Sequence, residues 1–344
     1  MHIPDGYLSP TTCAGLTAAA APFWYVSLRR VKRALHTRLV PLLSVFAAFS
    51  FIVMMFNLPL PGGTTGHATG VAVAAIVLGP AASILAISTA LVIQAIFFGD
   101  GGITAIGANC FNMAIIGSLT AWAVYRVVAG RSPIESSRRV VGAALAGYLS
   151  INAAALAAAI EFGIQPMFFH DATGAPLYAP YPLHIAIPAM MIGHLTIAGL
   201  AELVISAGVV AYLQRADPAL LGATSHVPAS NWRSTKPLWV AMAVLMILTP
   251  LGILAAGSAW GEWAPKDFGN DTVRHRIEAA SGNVSPPSIA PAGLKKLASF
   301  WTAPMPGYAP PFLKSTGFGY LLSALMGTGV IILVFLFAGW VTSR

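Results

Sequence analysis

The sequence predicts an all-α integral membrane protein, and three observations carry that prediction. Only 19 Lys or Arg and 11 Asp or Glu occur in 344 residues, about 9%, whereas soluble domains carry roughly 25% charged residues. Hydrophobic residues make up 57% of the chain, and its mean hydropathy is +0.75. The apolar residues form continuous runs of about 20 or more, whereas a membrane β-barrel would alternate apolar and polar residues. A water-soluble enzyme is therefore excluded.

The apolar runs predict the number of membrane elements. Each can cross the ~30 Å hydrocarbon core as a helix of about 20 residues. The run 68–98 is long for one span, and Gly79-Pro80 interrupts it, which predicts a broken pair of helices or a re-entrant hairpin. We therefore expect a helical bundle of about seven membrane elements up to about residue 213, and two further transmembrane helices. The runs cover residues 12–28, 40–60, 68–98, 103–127, 139–162, 184–213, 237–257 and 318–341.

Basic residues in the short loops predict the orientation of the chain. The loop 29–38 reads RRVKRALHTR and is expected to be cytoplasmic by the positive-inside rule. The basic loop at 126–139 is expected on the same side, which requires the run 68–98 to supply an even number of crossings. The remaining basic loops then also fall inside. The N-terminus and the uncharged loop 61–67 are then extracytoplasmic, and the C-terminus at Arg344 is cytoplasmic. The predicted location is a bacterial-type cytoplasmic (inner) membrane.

A polar stretch divides the chain into two blocks. Residues 1–215 form the first block, and 216–236 form a cytoplasmic linker that contains two prolines. The second block, 237–344, consists of two helices around an extracytoplasmic loop at 258–317. Because that loop holds Pro and Gly clusters and mixed charge, we expect a surface segment of limited regular structure.

The amino terminus carries the residues of a possible metal chelate. The chain begins Met1-His2-Ile3-Pro4-Asp5-Gly6, and Pro-Asp-Gly favours a tight reversal. The α-amine of Met1, the backbone nitrogen of His2 and its imidazole can close two fused chelate rings around one ion. Such planar nitrogen coordination suits Ni(II) or Cu(II) better than Zn(II). His67, in a glycine-rich stretch predicted on the same side, is the candidate fourth donor. The alternative is an ordinary N-terminal histidine without a role.

Three further polar residues near these motifs are candidates for orienting the ligands. Asp100 and Asn109 lie in a glycine-rich segment that the crossing count also places outside. They could hydrogen-bond a ligating histidine or cap helices, and the sequence favours neither alternative. Asp5, in the N-terminal turn, is the third candidate.

Other polar residues occur within or beside the apolar runs. His184 and Glu202 lie near the ends of the sixth run, where exposure to lipid headgroups accounts for them. His194 is near mid-membrane, where a structural hydrogen bond is favoured over a role in metal relay. The aromatic segment from Trp260 to Trp263 fits either an interfacial belt or a contact surface over a metal entrance.

Three motifs identify a family resemblance. MHIPDGYLSP, GGTTGHATG and FGDGGITAIGANCFNMA resemble the CbiM/NikM family, and the resemblance spans about residues 1–215. Members are substrate-binding (S) components of energy-coupling-factor transporters that import cobalt or nickel. Residues 237–344 resemble the NikN-type partner, here fused. The resemblance implies a metal-capturing subunit whose N-terminus inserts into the bundle, with Met1, His2 and His67 as metal ligands.

The resemblance also implies the substrate and the partners. Pro4-Asp5-Gly6 is similar to the nickel branch, so Ni(II) is the expected substrate and Co(II) the alternative, with no organic cofactor. The chain has no nucleotide motif, so an energy-coupling transmembrane T component and ATP-binding cassette ATPase subunits are the expected partners, and no nucleic acid is. The alternatives are a cobalt-specific S component for cobalamin synthesis, a passive metal channel and a membrane enzyme. A tight four-nitrogen chelate disfavours a channel, and the lack of clustered catalytic groups disfavours an enzyme.

Overall fold

The chain folds as a bundle of helices with one short β-hairpin in the part of the chain that is described. The computed structural model describes residues 1–32, 39–222, 232–255 and 257–342. The predicted all-α membrane class is confirmed. The elements are α1 Pro10–Lys32, α2 Leu39–Met54, β1 Leu58–Leu60, β2 Thr64–Gly66, α3 Val71–Leu78, α4 Pro80–Phe98, α5 Ile106–Ala129, α6 Ser137–Phe168, α7 Leu183–Ala216, α8 Ala219–Gly222, α9 Trp232–Leu248, α10 Asp271–Ala280, α11 Ala292–Leu297 and α12 Thr316–Thr342.

Five helices among the described residues, α4, α5, α6, α7 and α12, are long and apolar enough to cross a membrane. The predicted span 40–60 is shorter than expected, because α2 ends at Met54 and the chain turns into the β1–β2 hairpin. Pro59 and Pro61 cannot continue a helix, which accounts for the early end. Residues 33–38 of the basic loop and 223–231 of the linker lie outside the described residues, as does Arg344.

The break expected in the run 68–98 is present. Gly79 separates α3 from α4 with φ 79° and ψ 164°, outside the helical region, and Pro80 is the first residue of α4. Proline suits that position because its missing N–H has no helical partner there. The run therefore forms two helices, and α3 starts just after the loop that carries His67.

Glycines allow close approach between helices of the bundle. The backbone of Gly147 in α6 lies against Ser206 and Glu202 of α7, where a Cβ would have no room. Gly327 in α12 similarly lies against the ring of Phe51 in α2. The second contact joins the C-terminal helix to the N-terminal block.

The segment between α9 and α12 is a packed structure, which corrects the expected surface segment of limited regular structure. It contains α10 and α11, and aromatic and aliphatic side chains anchor it on the bundle. The hydroxyl of Tyr7 donates to the carbonyl of Trp263 at 2.7 Å and accepts from its N–H at 3.0 Å. Apolar spacing gave no indication of this packing, because the buried residues come from short helices and turns. They are Trp260, Trp263, Phe268, Ile277 and Leu294.

Candidate metal-binding site

The amino terminus is buried inside the bundle. Met1, His2 and Ile3 are at most 2% exposed. The chain reverses just after them, and the N–H of Tyr7 donates to the carbonyl of Pro4 at 3.4 Å. Gly6 has φ +87°, a conformation that glycine adopts without strain. The turn predicted from Pro-Asp-Gly is therefore present, and it directs the first residues inward.

Asn109 fixes the backbone directly after His2. Its side-chain oxygen accepts from the N–H of Ile3 at 2.8 Å, and its side-chain nitrogen donates to the carbonyl of Ile3 at 3.1 Å. The N–H of Gly102 donates to the same carbonyl at 2.8 Å. Asn109 thus contacts the ligand-bearing backbone and not an imidazole. It positions the N-terminal segment by pairing with it as a neighbouring strand would.

Asp5 links the N-terminal turn to the glycine-rich segment before α5. Its carboxylate accepts from the backbone N–H of Ile103 at 3.1 Å and of Thr104 at 2.7 Å. The hydroxyl of Thr104 donates to it as well. Asp5 therefore holds the turn in place through hydrogen bonds to Ile103 and Thr104.

The rings of His2 and His67 lie together, with centroids 5.0 Å apart. Both nitrogens of His2 are buried and make no hydrogen bond to the described residues. His67 Nδ1 lies 3.0 Å from the carbonyl oxygen of Ala68, and because a carbonyl only accepts, Nδ1 carries the proton. The lone pair of His67 is then on Nε2. Two neutral imidazoles are available to an electrophile here.

Burial sets the protonation state of both rings. It lowers the pKa of His2 to about 3, and the charge of the N-terminal amine acts in the same direction. Burial also lowers the pKa of His67 to about 3, assisted by His2 and the amine. Both imidazoles are therefore neutral at neutral pH, the form that binds metal ions.

Glu202 holds the loop that carries His67, a role that the sequence did not predict. Glu202 is fully buried, which corrects the interpretation of exposure to lipid headgroups. Its carboxylate accepts from the backbone N–H groups of Thr69 and Gly70, the latter at 3.0 Å, and from the hydroxyl of Thr69. These N–H groups precede α3 and would otherwise be unpaired. A buried acid in an apolar helix was the only indication available from the sequence.

Glu262 of the C-terminal segment contacts the amino terminus of the chain. The N-terminal amine of Met1 lies 3.4 Å from Glu262 Oε1. Burial raises the pKa of Glu262 to about 7, while the amine and the backbone N–H of His2 act in the opposite direction. Of the two interpretations of the segment from Trp260 to Trp263, the structure favours a contact surface over the N-terminus.

Tyr308 of the C-terminal segment makes a second contact near the amino terminus, through Asp100 of the first block. Asp100 Oδ1 lies 3.5 Å from His2 Nδ1, and its Oδ2 accepts from the hydroxyl of Tyr308 at 2.5 Å. Gln94 donates to the same hydroxyl at 2.9 Å. Asp100 is thus a contact of the His2 ring, and Tyr308 orients its carboxylate.

The remaining histidines of the apolar runs are outside this cluster. His184 is exposed, and His194 is buried with Nδ1 donating to the carbonyl of Met190 at 2.8 Å. Among the residues described, no three or more His, Cys, Asp or Glu side chains form a group that could hold a metal ion. A four-donor site at the N-terminus would therefore need backbone nitrogens in addition to the two imidazoles.

Comparison with known proteins shows the family of the chain. Residues 2–220 match the model described as "Cobalt uptake substrate-specific transmembrane region", and residues 235–344 match the PDGLE domain. The chain belongs to this cobalt-uptake family. It is a nickel/cobalt transport component of a metal transporter and is not an enzyme.

Named relatives cover nearly the whole chain or about two thirds of it. The fused nickel transport protein NikMN of Rhodobacter capsulatus is 56% identical over 332 residues, 96% of this chain and 95% of the relative. A probable fused nickel transport protein of Lactiplantibacillus plantarum is 42% identical over 98% of this chain and 97% of the relative. A putative metal transport protein of Methanocaldococcus jannaschii is 46% identical over 64% of this chain and 94% of the relative.

A solved structure supports the fold of more than half of the chain. A crystal structure of a transition metal transporter is 50% identical and superposes with a TM-score of 0.60. The match covers 63% of this chain and 94% of that chain.

Proposed function

We propose that this chain captures Ni(II) as the substrate-binding subunit of an ATP-driven energy-coupling-factor importer. The ion is held by four nitrogens: the α-amine of Met1, the backbone nitrogen of His2, the His2 imidazole and the His67 imidazole. The Met1 ammonium and the His2 amide each release one proton to solvent when the ion binds. Residues 1–215 form the capturing domain, 216–236 the linker and 237–344 a fused partner segment. The metal site faces the extracytoplasmic side, and the C-terminus is cytoplasmic.

One observation carries the proposal. The imidazole of His2 is 1% exposed, yet neither of its nitrogens has a hydrogen-bond partner among the described residues. Leaving buried polar atoms unpaired costs about 1–3 kcal/mol each, so proteins rarely keep them without a use. A metal ion bound to His2 Nδ1 would satisfy one of these two nitrogens, and the lone pair of His67 Nε2 would bind the same ion.

The chemistry of the first two residues favours a planar donor set. The Met1 amine, the backbone nitrogen of His2 and His2 Nδ1 can close two fused rings in one plane, and Asn109 hydrogen-bonds the following peptide. Ni(II) accepts square-planar nitrogen coordination, whereas Zn(II) prefers a tetrahedron. Nickel is favoured over cobalt because the fused relatives that match nearly the full chain are named nickel transport proteins.

Transport energy has to come from other subunits. The proposed partners are a transmembrane coupling component and ATP-binding cassette ATPases, which would open the buried site towards the cytoplasm. A buried site with a backbone donor binds tightly and releases slowly, which suits capture before a driven step and does not suit a passive channel.

The test is the metal bound by the purified full chain with a native N-terminus. We expect one Ni(II) per chain and a yellow, diamagnetic species, as square-planar Ni(II) gives. His2→Ala and His67→Ala should each abolish or severely weaken binding, whereas His170→Ala, at an exposed histidine, should not. Full occupancy in either of the first two variants would contradict the assigned ligands.

A further inference from the structure

A cavity of about 270 Å³ lies between the N-terminal turn and the C-terminal segment. Its walls include Asp5 and Asp100 from the first block and Glu262, Trp263 and Trp301 from the second. The side chains of Asp100 and Glu262 are 18% and 23% exposed, so both remain accessible from the cavity. This cavity is called the vestibule below.

The acidic and basic side chains that line the vestibule are all acidic. Three carboxylates line it, and none of its lining residues is Lys or Arg, although the chain as a whole carries a net charge of +8. Lys295 and Lys296 follow the lining residue Leu294, but both are exposed and outside the lining. A cleft with low-dielectric walls and a single sign of charge concentrates counter-ions. The vestibule therefore attracts cations.

Two of the carboxylates also touch the buried nitrogens behind them. Glu262 Oε1 is 3.4 Å from the Met1 amine, and Asp100 Oδ1 is 3.5 Å from His2 Nδ1. His2 itself is 1% exposed and has no hydrogen-bond partner among the described residues. An unsatisfied nitrogen donor thus lies directly beyond an accessible carboxylate.

We infer that the vestibule is an entry subsite for a hydrated divalent cation, which the carboxylates of Asp100 and Glu262 take up before it passes to the nitrogens of Met1 and His2. The inference rests on the proposed function, because those nitrogens are the proposed final site. Six waters occupy roughly 180 Å³ at about 30 Å³ each, which the cavity can hold. Carboxylate oxygens can replace some of the waters of an aqua ion, and the imidazole can then replace further waters or a carboxylate.

The experiment measures association and release rates of aqueous Ni²⁺ with the full chain at about pH 8. Glu262→Gln and Asp100→Asn keep the size and an acceptor oxygen of each side chain while removing its charge. The matched control is Asp271→Asn, because Asp271 lies in the same C-terminal segment, 90% exposed and outside the vestibule. Release is followed with an excess of a strong chelator.

We expect the two variants combined to associate about 10-fold more slowly at low salt, with the release rate changed by less than about twofold. Their rates should also depend less on ionic strength than those of the wild type and the Asp271→Asn control. The association rate of each single variant should lie between those of the wild type and the combined variant. The inference therefore does not depend on one variant folding.

Unchanged association rates in both single variants would overturn the inference. So would a loss of affinity that came entirely from faster release, because carboxylates that only position the donors would act in that way. If the wild-type chain bound no nickel at all, the proposed function would fail, and the entry subsite with it.

Discussion

The Met1 amine lies 3.4 Å from Glu262 Oε1, although 261 positions separate the two residues in the chain. The C-terminal segment therefore lies directly over the amino terminus, and Glu262 is the side chain that contacts the amine.

Ending the chain after Gly222 should leave nickel capture in place and speed up nickel release. Met1, His2 and His67 all remain, but Glu262 and Trp263 no longer cover them. The measurement is the release rate of bound Ni(II) from full-length and shortened protein. Complete loss of binding in the shortened protein would mean that the C-terminal segment supplies a ligand.

Replacing Glu202 should weaken nickel binding although Glu202 touches no proposed ligand atom. Glu202→Ala removes the acceptors of Thr69 and Gly70 and frees the loop after His67. Groups that orient ligands typically contribute 10- to 100-fold in metal affinity, and we expect a loss in that range. Glu202→Gln keeps one acceptor oxygen and should lose less. Titration with Ni(II) checks this order, and equal losses in both variants would contradict it.

Gly101→Ala should sharply lower nickel occupancy. Gly101 has φ +87°, and a Cβ there would lie 2.9 Å from Asn109 Nδ2 and 3.3 Å from His2 Nδ1. The matched control is Gly174→Ala, at φ +85° with open space around the Cβ, which carries the same backbone strain without the contact. If both variants lost nickel equally, crowding at His2 would not be the cause.

The metal-free protein should lose stability as the pH falls below about 6.5. Burial lowers the pKa of His2 and His67 to about 3, from 6.5 in the unfolded chain. Below pH 6.5 the two histidines become protonated in the unfolded chain, whereas in the folded protein they stay neutral down to about pH 3. The stability contributed by the two neutral rings is therefore complete above 6.5 and decreases towards pH 3. Melting temperatures at pH 7 and pH 5 test this, and the double variant His2→Ala/His67→Ala should show the smaller decrease. An equal decrease in both proteins would contradict it.

The sequence predicted the helical class, the break at Gly79 and the candidates Met1, His2 and His67, because apolar runs, Gly-Pro pairs and N-terminal histidines are local features. It missed Glu202, because 133 residues separate that acid from the loop it holds, and only folding brings them together. The packed segment after Gly257 was missed for a similar reason. Its buried tryptophans and short helices depend on contacts with Tyr7 and Phe162 that no local pattern encodes.

The most direct test of the central claim is nickel occupancy after extension of the amino terminus by three residues. The account requires a free α-amine on Met1, and the added residues turn that amine into an amide and place the new amine too far from His2 to close a fused chelate with it. A single added residue is avoided, because an amine two residues before a histidine can itself complete a planar four-nitrogen chelate. We expect native and C-terminally tagged protein to bind one Ni(II) and the extended protein to bind none at matched pH. Equal occupancy in the extended protein would contradict the amine ligand, even if His2 and His67 both proved essential.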